Sequence, residues 1–526
     1  MTLFGWWLGC ARPDGAPAAC EGLHNVIAAT GAELVVEADG CGSARVVGFT
    51  PVGAGAMSVT LFTSGDRVVA QVVAEEDAVL DGLVATGALE LSGSGDVVGS
   101  SLPERGEGGA EPGPAPVAGA WAAAAWRSGG GAALVGVAGG ATSSSSVEVD
   151  GDGFVVTWGG ALGVPLAAGQ GVYFDPLTLV VGAEPAELWA DWGARVVDQA
   201  GASARDPLPW GVEAGLADGE VAAALAAWPD APLVTARGDW PAVAGDFAGD
   251  GRDPAALLDP IARAGRLAGF WVRPFAVDPA APVATEHPEW LVVDAAGDPV
   301  SAGGALVLDA TDEAATDWLV GELRAGLDGV DLLVLDGLSD AAVAGVRDGG
   351  PLGALALQTG LRALRRGLPG VELVAADAPL LAVVGLVDGF RTEGVDPDAL
   401  RGGLGARMPL AAVLPLDPPA ITDGPGPASG ALATAALTGT LRFEAASDPA
   451  LGPVAARITA GLDGPAAPPG PGPWTTFELG PARVLVAPAG SGVTVRGPGG
   501  RELIDGVTAG PGSRVLPAGT GEIWVP

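Results

Sequence analysis

Five aspartates and an arginine stand where short apolar runs end. Asp309 follows Val307-Leu308, Asp336 follows Leu332-Leu-Val-Leu335, Asp377 follows Leu373-Val-Ala-Ala376, and Arg391 is followed by Asp396 and Asp398. Asp336 is the least ordinary of them. Its strand should be buried, and an ionised carboxylate at such a place needs a reason. Asp396 lies just past another expected strand and can face it. Two carboxylates from different strands, about 5 Å apart, suit retaining glycoside hydrolysis: one attacks the anomeric carbon and the other protonates the leaving oxygen. A gap of about 6.5–9.5 Å would instead admit a water and invert the centre. Acids outnumber bases 63 to 26 along the chain, so a carboxylate at any single strand end is weak evidence by itself.

The elements that would hold these residues alternate. Helices are expected over 219–228, 254–267, 312–327 (with Thr311 as N-cap), 351–368 and near 430–437. Between them fall apolar strand-like runs at 232–235, 268–274, 330–336, 371–375, 386–391, 409–415 and 440–444. This rhythm spans some 250 residues and predicts a (β/α)8 barrel over 206–463, with chemistry at the C-terminal strand ends. Before it, residues 23–185 carry short β-type runs at 33–37, 58–62, 67–73, 146–149 and 154–158, divided by Gly-rich turns. That pattern predicts a β-sandwich, with a Pro/Gly-rich flexible loop at 102–116. A Pro/Gly linker near 464–473 leads to a second all-β segment, 474–526. The fold class is thus multi-domain α/β plus all-β.

Composition narrows the partners. The 526 residues hold no Lys, so all 26 bases are Arg, and the net charge of −37 argues against nucleic acid or an anionic membrane surface. Apolar residues make up 48 %, enough to exclude disorder for most of the length. The longest notable uncharged stretch, 153–174, is broken by Gly and Pro165 and reads as strands and turns rather than a membrane span. No Walker loop, no GxGxxG between a strand and a helix, and no Cys/His cluster is present, so neither cofactor nor metal is expected.

The start, Met-Thr-Leu-Phe-Gly-Trp-Trp-Leu-Gly-Cys10, resembles the tail of a bacterial lipoprotein signal, although it lacks a positive n-region. Residues 1–22 are therefore read as leader and spacer, with Cys10 lipidated and the protein exported, either anchored to the membrane or periplasmic or extracellular. The remaining cysteines, Cys20 and Cys41, can close one disulfide loop in an oxidising compartment.

The segments GFWVRPF (269–275), EHPEW (286–290), VLDAT (307–311), LLVLD (332–336) and GLVDGFR (385–391) run in the order and with the gaps of the α-galactosidase-like glycoside hydrolases, family 36. The resemblance covers about residues 238–396. It implies a TIM barrel between an N-terminal β-supersandwich and a C-terminal β-sandwich, and retaining α-glycosidase activity on oligosaccharides or glycoconjugates. By the same resemblance Asp336 is the nucleophile and Asp396 the acid/base, with Asp398 the alternative because the spacing from Arg391 is one residue long. Arg391 binds sugar hydroxyls, Trp240 is the aromatic platform, and Asp239 a hydroxyl acceptor. Trp271 and Arg273 face the pocket, Asp377 replaces part of a pocket segment, and His287 is structural.

Three departures stand out. The family's Lys two residues before the nucleophile is Val334, its paired acids before the first pocket aromatic are replaced within Val234-Thr-Ala-Arg-Gly-Asp-Trp240, and its Cys/Gly segment is Ala376-Asp377. A second function therefore stands beside the first: a non-catalytic homologue that binds glycan or serves as a structural surface lipoprotein.

Overall fold

The computed structural model describes residues 28–391, apart from positions 31–32, 39, 65–66, 103–112, 115, 120, 141–144, 206–207, 218, 239, 242, 248–253, 295, 344 and 348–352. Beyond Arg391 it describes positions 410, 416–417, 442–444, 447, 451, 454–455, 458 and a set of strands from 476 to 525. The expected leader, most of the 102–116 loop, the helix at 430–437 and the linker at 464–473 lie outside the described residues.

Residues 28–182 build two antiparallel sheets. In one, the long strands Gly42–Ala54, Ala78–Leu91 and Gly153–Leu166 lie side by side; in the other, Arg67–Ala74, Leu177–Gly182, Ala132–Val137 and Ala122–Ser128 do. Arg67–Ala74 and Ser145–Asp150 alternate strictly between buried and more exposed positions, because side chains on a strand point to opposite faces in turn. Inward residues of both sheets, among them Val36, Val46, Leu83, Val68, Val135 and Leu179, share one apolar core with Trp158.

Ala132–Val137 and Leu177–Gly182 break the alternation and are buried at every position. Their outward residues Leu134 and Val180 belong to the core of the following domain, together with Trp192 and Trp210. Trp192 lies on helix α1 (Pro185–Ala200), which no helical period in the sequence analysis anticipated, and its indole N–H donates to Val137 O at 3.2 Å. Strands covered on both faces lose the polar alternate positions, and the apolar runs record that.

The next domain is a curled, parallel, TIM-barrel-like sheet. Its strands are β1 (Gly211–Gly215), β2 (Leu233–Arg237), β3 (Leu267–Val272), β4 (Leu332–Leu335), β5 (Glu372–Ala375), β6 (Gly389–Arg391), β7 (Leu416–Asp417) and β8 (Arg442–Glu444). They pair in the order β7-β6-β5-β4-β3-β2-β1-β8, every ladder parallel, so the last strand returns to the first. Strand β1 was not recognised in the sequence; of the run expected at 409–415 only position 410 is among the described residues, and β7 follows at 416–417. Helices α2 (Glu220–Ala227), α3 (Pro254–Arg263), α4 (Glu313–Gly326) and α5 (Gly353–Gly367) fall where expected, to within a few residues. One cap differs: Asp312, not Thr311, accepts the Ala315 N–H at 2.9 Å, while the Thr311 N–H and hydroxyl are both taken by Asp309.

Alternation decides what each strand offers to the interior. Leu233, Leu332, Val334, Val374 and Ala376, with Leu208 and the partly buried Trp271, form an apolar floor inside the sheet. Their neighbours Val234, Ala236, Phe270, Leu333, Leu335 and Leu373 face the helices. Beyond the barrel, strands between Thr476 and Val525 pair antiparallel into a five-stranded and a two-stranded sheet.

Candidate active site

One step beyond the apolar floor, the same parity brings charged residues to the interior. Along β2 it runs Leu233, Thr235, Arg237; along β3, Gly269, Trp271, Arg273; along β4, Leu332, Val334, Asp336. Strand β1 contributes Glu213 and β6 ends on Arg391. Asp336 is held in register by its own N–H, which donates to Val272 O on β3 at 2.9 Å. The chain then turns at Gly337, whose φ of 65° is left-handed, into the short helix Leu338–Ala341. A Cβ on Gly337 would stand 3.0 Å from Arg273 Nε, so the absence of a side chain lets this guanidinium lie against the backbone beside Asp336.

Burial pushes the Asp336 carboxyl above its ordinary range, and the Asp377 charge pushes the same way. The Gly337 backbone N–H, Arg273 and, most weakly, Arg237 pull it back. Arg273 is tied to Asp340 at 3.0 Å. The hairpin between Ser301–Ala302 and Ala305–Val307 closes over this pair: its Gly303, at φ 55°, leaves no room for a Cβ, which would fall 2.0 Å from Asp340 Oδ2. Asp377 has a left-handed backbone at φ 48°, uncommon outside glycine. Ser339 secures it: its N–H donates to Asp377 O at 2.6 Å, and its hydroxyl reaches the same oxygen at 2.7 Å and the Asp377 carboxylate at 3.2 Å. The ends of β4 and β5 are thereby joined side by side.

Opposite them sits a second charged group. Glu213, its side chain 2 % exposed, pairs with Arg391, which is 6 % exposed, and with Arg237, which is 51 % exposed, at 3.4 Å. Both guanidiniums lie over the ring of Trp271, with carbon-to-centroid distances of 4.7 Å for Arg237 and 5.1 Å for Arg391.

Of the residues singled out in the sequence, Asp336, Trp271, Arg273, Asp377 and Arg391 come together at the strand ends. Asp239, Asp396 and Asp398 lie outside the described residues. Trp240 is a correction: it is 4 % exposed and stands in the helix layer, edge-on to Phe247 and Phe270, with its ring against Gly326 of α4. It packs on Phe270, whose parity is opposite to that of Trp271, and therefore offers no face to the interior. Asp309 is buried, occupied by Thr311 and 4.0 Å from the buried Arg347. His287 stacks on Trp290 at 3.7 Å and bonds Glu289, apart from the cluster. Glu213, Arg237, Ser339 and Asp340 were missed. Glu213 and Arg237 share the inward parity of Trp271 and Asp336, which shows only once strand β1 and the pairing of the strands are known. Among the described residues no group of three or more His, Cys, Asp or Glu is placed to hold a metal ion, and no helix is long and apolar enough to cross a membrane.

No family model matches the sequence. Solved structures do match. An α-galactosidase from Thermus thermophilus, in complex with p-nitrophenyl α-D-galactopyranoside, is 20 % identical, with 80 % of this chain and 98 % of that one covered at a TM-score of 0.55. A family 36 α-galactosidase from Geobacillus stearothermophilus, in complex with 1-deoxygalactonojirimycin, is 12 % identical, covering 94 % and 89 % at 0.56. The galactosidase domain of an α-galactosidase–sucrose kinase is 13 % identical, covering 91 % and 85 % at 0.54. The fold is that of the family 36 α-galactosidases. Within this α-galactosidase fold the cluster around Asp336 occupies the C-terminal rim of the barrel-like sheet, where such sheets carry their chemistry.

Proposed function

We propose that the chain is a retaining α-glycoside hydrolase acting on oligosaccharides or glycoconjugates. Asp336 serves as nucleophile and Asp396 as general acid/base, Asp398 being the alternative. In the first step the Asp336 carboxylate forms a bond to the anomeric carbon as the glycosidic C–O bond breaks, its electron pair leaving with the aglycone oxygen, which takes the proton of Asp396. In the second, Asp396 removes a proton from water, the water oxygen bonds to the anomeric carbon, and Asp336 leaves as carboxylate. The observation that carries this reading is a half-buried carboxylate at the end of β4, flanked by Arg273 and Arg237, on an α-galactosidase fold. Arg273, Trp271, Asp377 and Arg391 are assigned to the substrate.

A specific observation favours the second reading, a non-catalytic glycan-binding or structural protein. Val334, where the resembling family has Lys, is buried in the apolar floor and contributes neither donor nor charge. A panel of aryl α-glycosides decides between the two. Release that is abolished in Asp336→Asn, with the product's anomeric configuration retained by NMR, supports the enzyme; equal background release from both proteins removes it.

Residues 1–22, 23–185, 206–463 and 474–526 are proposed as leader and spacer, N-terminal β-supersandwich, closed (β/α)8 barrel and C-terminal β-sandwich. Export with lipidation at Cys10 belongs to the same proposal. Its test is mass spectrometry of the membrane fraction for a diacylglyceryl group on that residue. Cys41 is buried and disulfide-bonded, and its partner lies outside the described residues; a bond of this kind persists in an oxidising compartment, which supports the proposal of export.

A further inference from the structure

We infer that Asp340 is a positioning residue: it holds the Arg273 guanidinium beside Asp336 and, through that cation, sets how readily the Asp336 carboxyl is ionised. The inference rests on the reading of Asp336 as nucleophile and adds the group that controls its charge.

An arginine at a strand end has a long flexible stem, and its field at a neighbour weakens as the guanidinium swings away. The Arg273 side chain is 37 % exposed, so burial alone does not fix it. Its surroundings do. On one flank is Gly337: a Cβ there would stand 3.0 Å from Nε and 3.4 Å from Nη2, so the bare backbone is the surface on which the guanidinium rests. On another is the hairpin's Gly303, where a Cβ would fall 2.9 Å from the same Nη2 and 2.0 Å from Asp340 Oδ2. Asp340 supplies the directed contact, accepting from Nη2 at 3.0 Å.

Asp340 is itself anchored on both sides. Before it, the Ser339 N–H and hydroxyl both donate to Asp377 O. After it, Ala341 is buried, and its carbonyl accepts from Nη2 of Arg347 at 3.3 Å, a nitrogen that also donates to Val343 O at 2.8 Å. One short helix thus brings two opposite influences to the nucleophile. Ser339 secures Asp377, whose charge resists ionisation of Asp336, and Asp340 secures Arg273, which favours it. The Gly337 N–H and, more weakly, Arg237 at the end of β2 act with Arg273. Across the rim stand Glu213 of β1 and Arg391 of β6, paired with each other.

The test compares wild type with Asp340→Ala, Asp340→Asn, Arg273→Met and the Asp340→Ala/Arg273→Met double variant. Two readouts follow Asp336. One is the acidic limb of kcat/KM against pH with aryl α-glycosides; the other is NMR titration of its carboxyl carbon in aspartate-labelled protein, the signal identified by its loss in Asp336→Asn. Removing the Asp340 charge would by itself lower both. Release of Arg273 has the opposite sign. Since a nearby opposite charge moves a carboxyl by about 1–3 units, Asp340→Ala should raise both readouts by about half a unit or more, without exceeding Arg273→Met. Asp340→Asn keeps an acceptor for Nη2 and should fall between Asp340→Ala and wild type. In the Arg273→Met background Asp340→Ala should raise nothing further. Readouts that stay in place or move down in Asp340→Ala, or that rise again when it is added to Arg273→Met, overturn the inference. Asp239, Asp396 and Asp398 are present in every variant, so the differences read Asp340 and Arg273. Absence of turnover in the wild type removes the hydrolytic reading separately, and the carboxyl titration then decides the role of Asp340 by the same signs.

Discussion

Replacing Glu213 by Ala removes the carboxylate from a buried ion pair, and the expected cost is large. The Glu213 and Arg391 side chains are 2 % and 6 % exposed, so water cannot substitute for the lost carboxylate. Removing one partner of such a pair costs about 3–5 kcal/mol. Arg237 adds little to this figure, because at 3.4 Å and 51 % exposure its share is screened to about 0–1 kcal/mol. At about 2–4 °C per kcal/mol for a domain of roughly 150–250 residues, Glu213→Ala should lower the barrel's melting midpoint by about 6–20 °C. Arg237→Gln should lower it by no more than about 4 °C, on the same scale and the same screened share. Glu213→Gln keeps volume and an acceptor and should fall between them. The Glu213→Ala/Arg391→Met double variant should recover much of the loss, since removing both charges leaves neither unpaired. Calorimetry of these five proteins and of the Arg391→Met single variant provides the measurement. A Glu213→Ala shift no larger than that of Arg237→Gln, or a double variant equal to the sum of the singles, refutes the reasoning.

The proposed attack requires Asp336 to be ionised, and burial raises its pKa, so on that proposal the acidic limb of kcat/KM against pH should lie above the ordinary aspartate range. Arg273→Met removes an opposing charge and should move the limb further up, whereas Asp377→Asn should move it down; shifts of opposite sign would contradict the assignment. The same group stabilises the fold fully below its unfolded pKa, and that contribution fades as pH rises through the raised folded value. Asp312→Ala, which removes the N-cap of α4, should cost about 1 kcal/mol in urea titration, while Thr311→Val should leave the cap intact. Cys41→Ser should lower the stability of the N-terminal sheets by about 3 kcal/mol if the partner is Cys20, read from their denaturation midpoint.

Most of the barrel was legible because its helices are amphipathic and its strands are short apolar runs of the right length. Leu332–Leu335 could be read without a structure, and Asp336 followed from it. Strand β1 was lost because Gly211-Val-Glu-Ala-Gly215 has only two apolar side chains besides a buried glutamate, too few to make a run. With it went Glu213, the counter-charge that organises two arginines. Arg237 was seen only as what replaced an expected acid, since its partner lay on the unrecognised strand. Trp240 misled for a different reason. An aromatic after a strand end can turn toward either layer, and the choice was made by Phe270, one residue out of phase with Trp271. Helix α1 falls almost wholly between the segment read as β (23–185) and the one read as barrel (206–463), where no helix was expected, and Pro185 is well suited to its first turn.

The strands Ala132–Val137 and Leu177–Gly182, apolar on both sides, tie the fate of the two large domains together. Excised by itself, the N-terminal pair of sheets would turn Leu134, Val180 and their neighbours out to solvent, a wet greasy panel prone to self-association. The barrel cut free would lose the lid over Trp192 and Trp210. Neither half is a portable module, so gene fusions or truncations that separate them should yield aggregates.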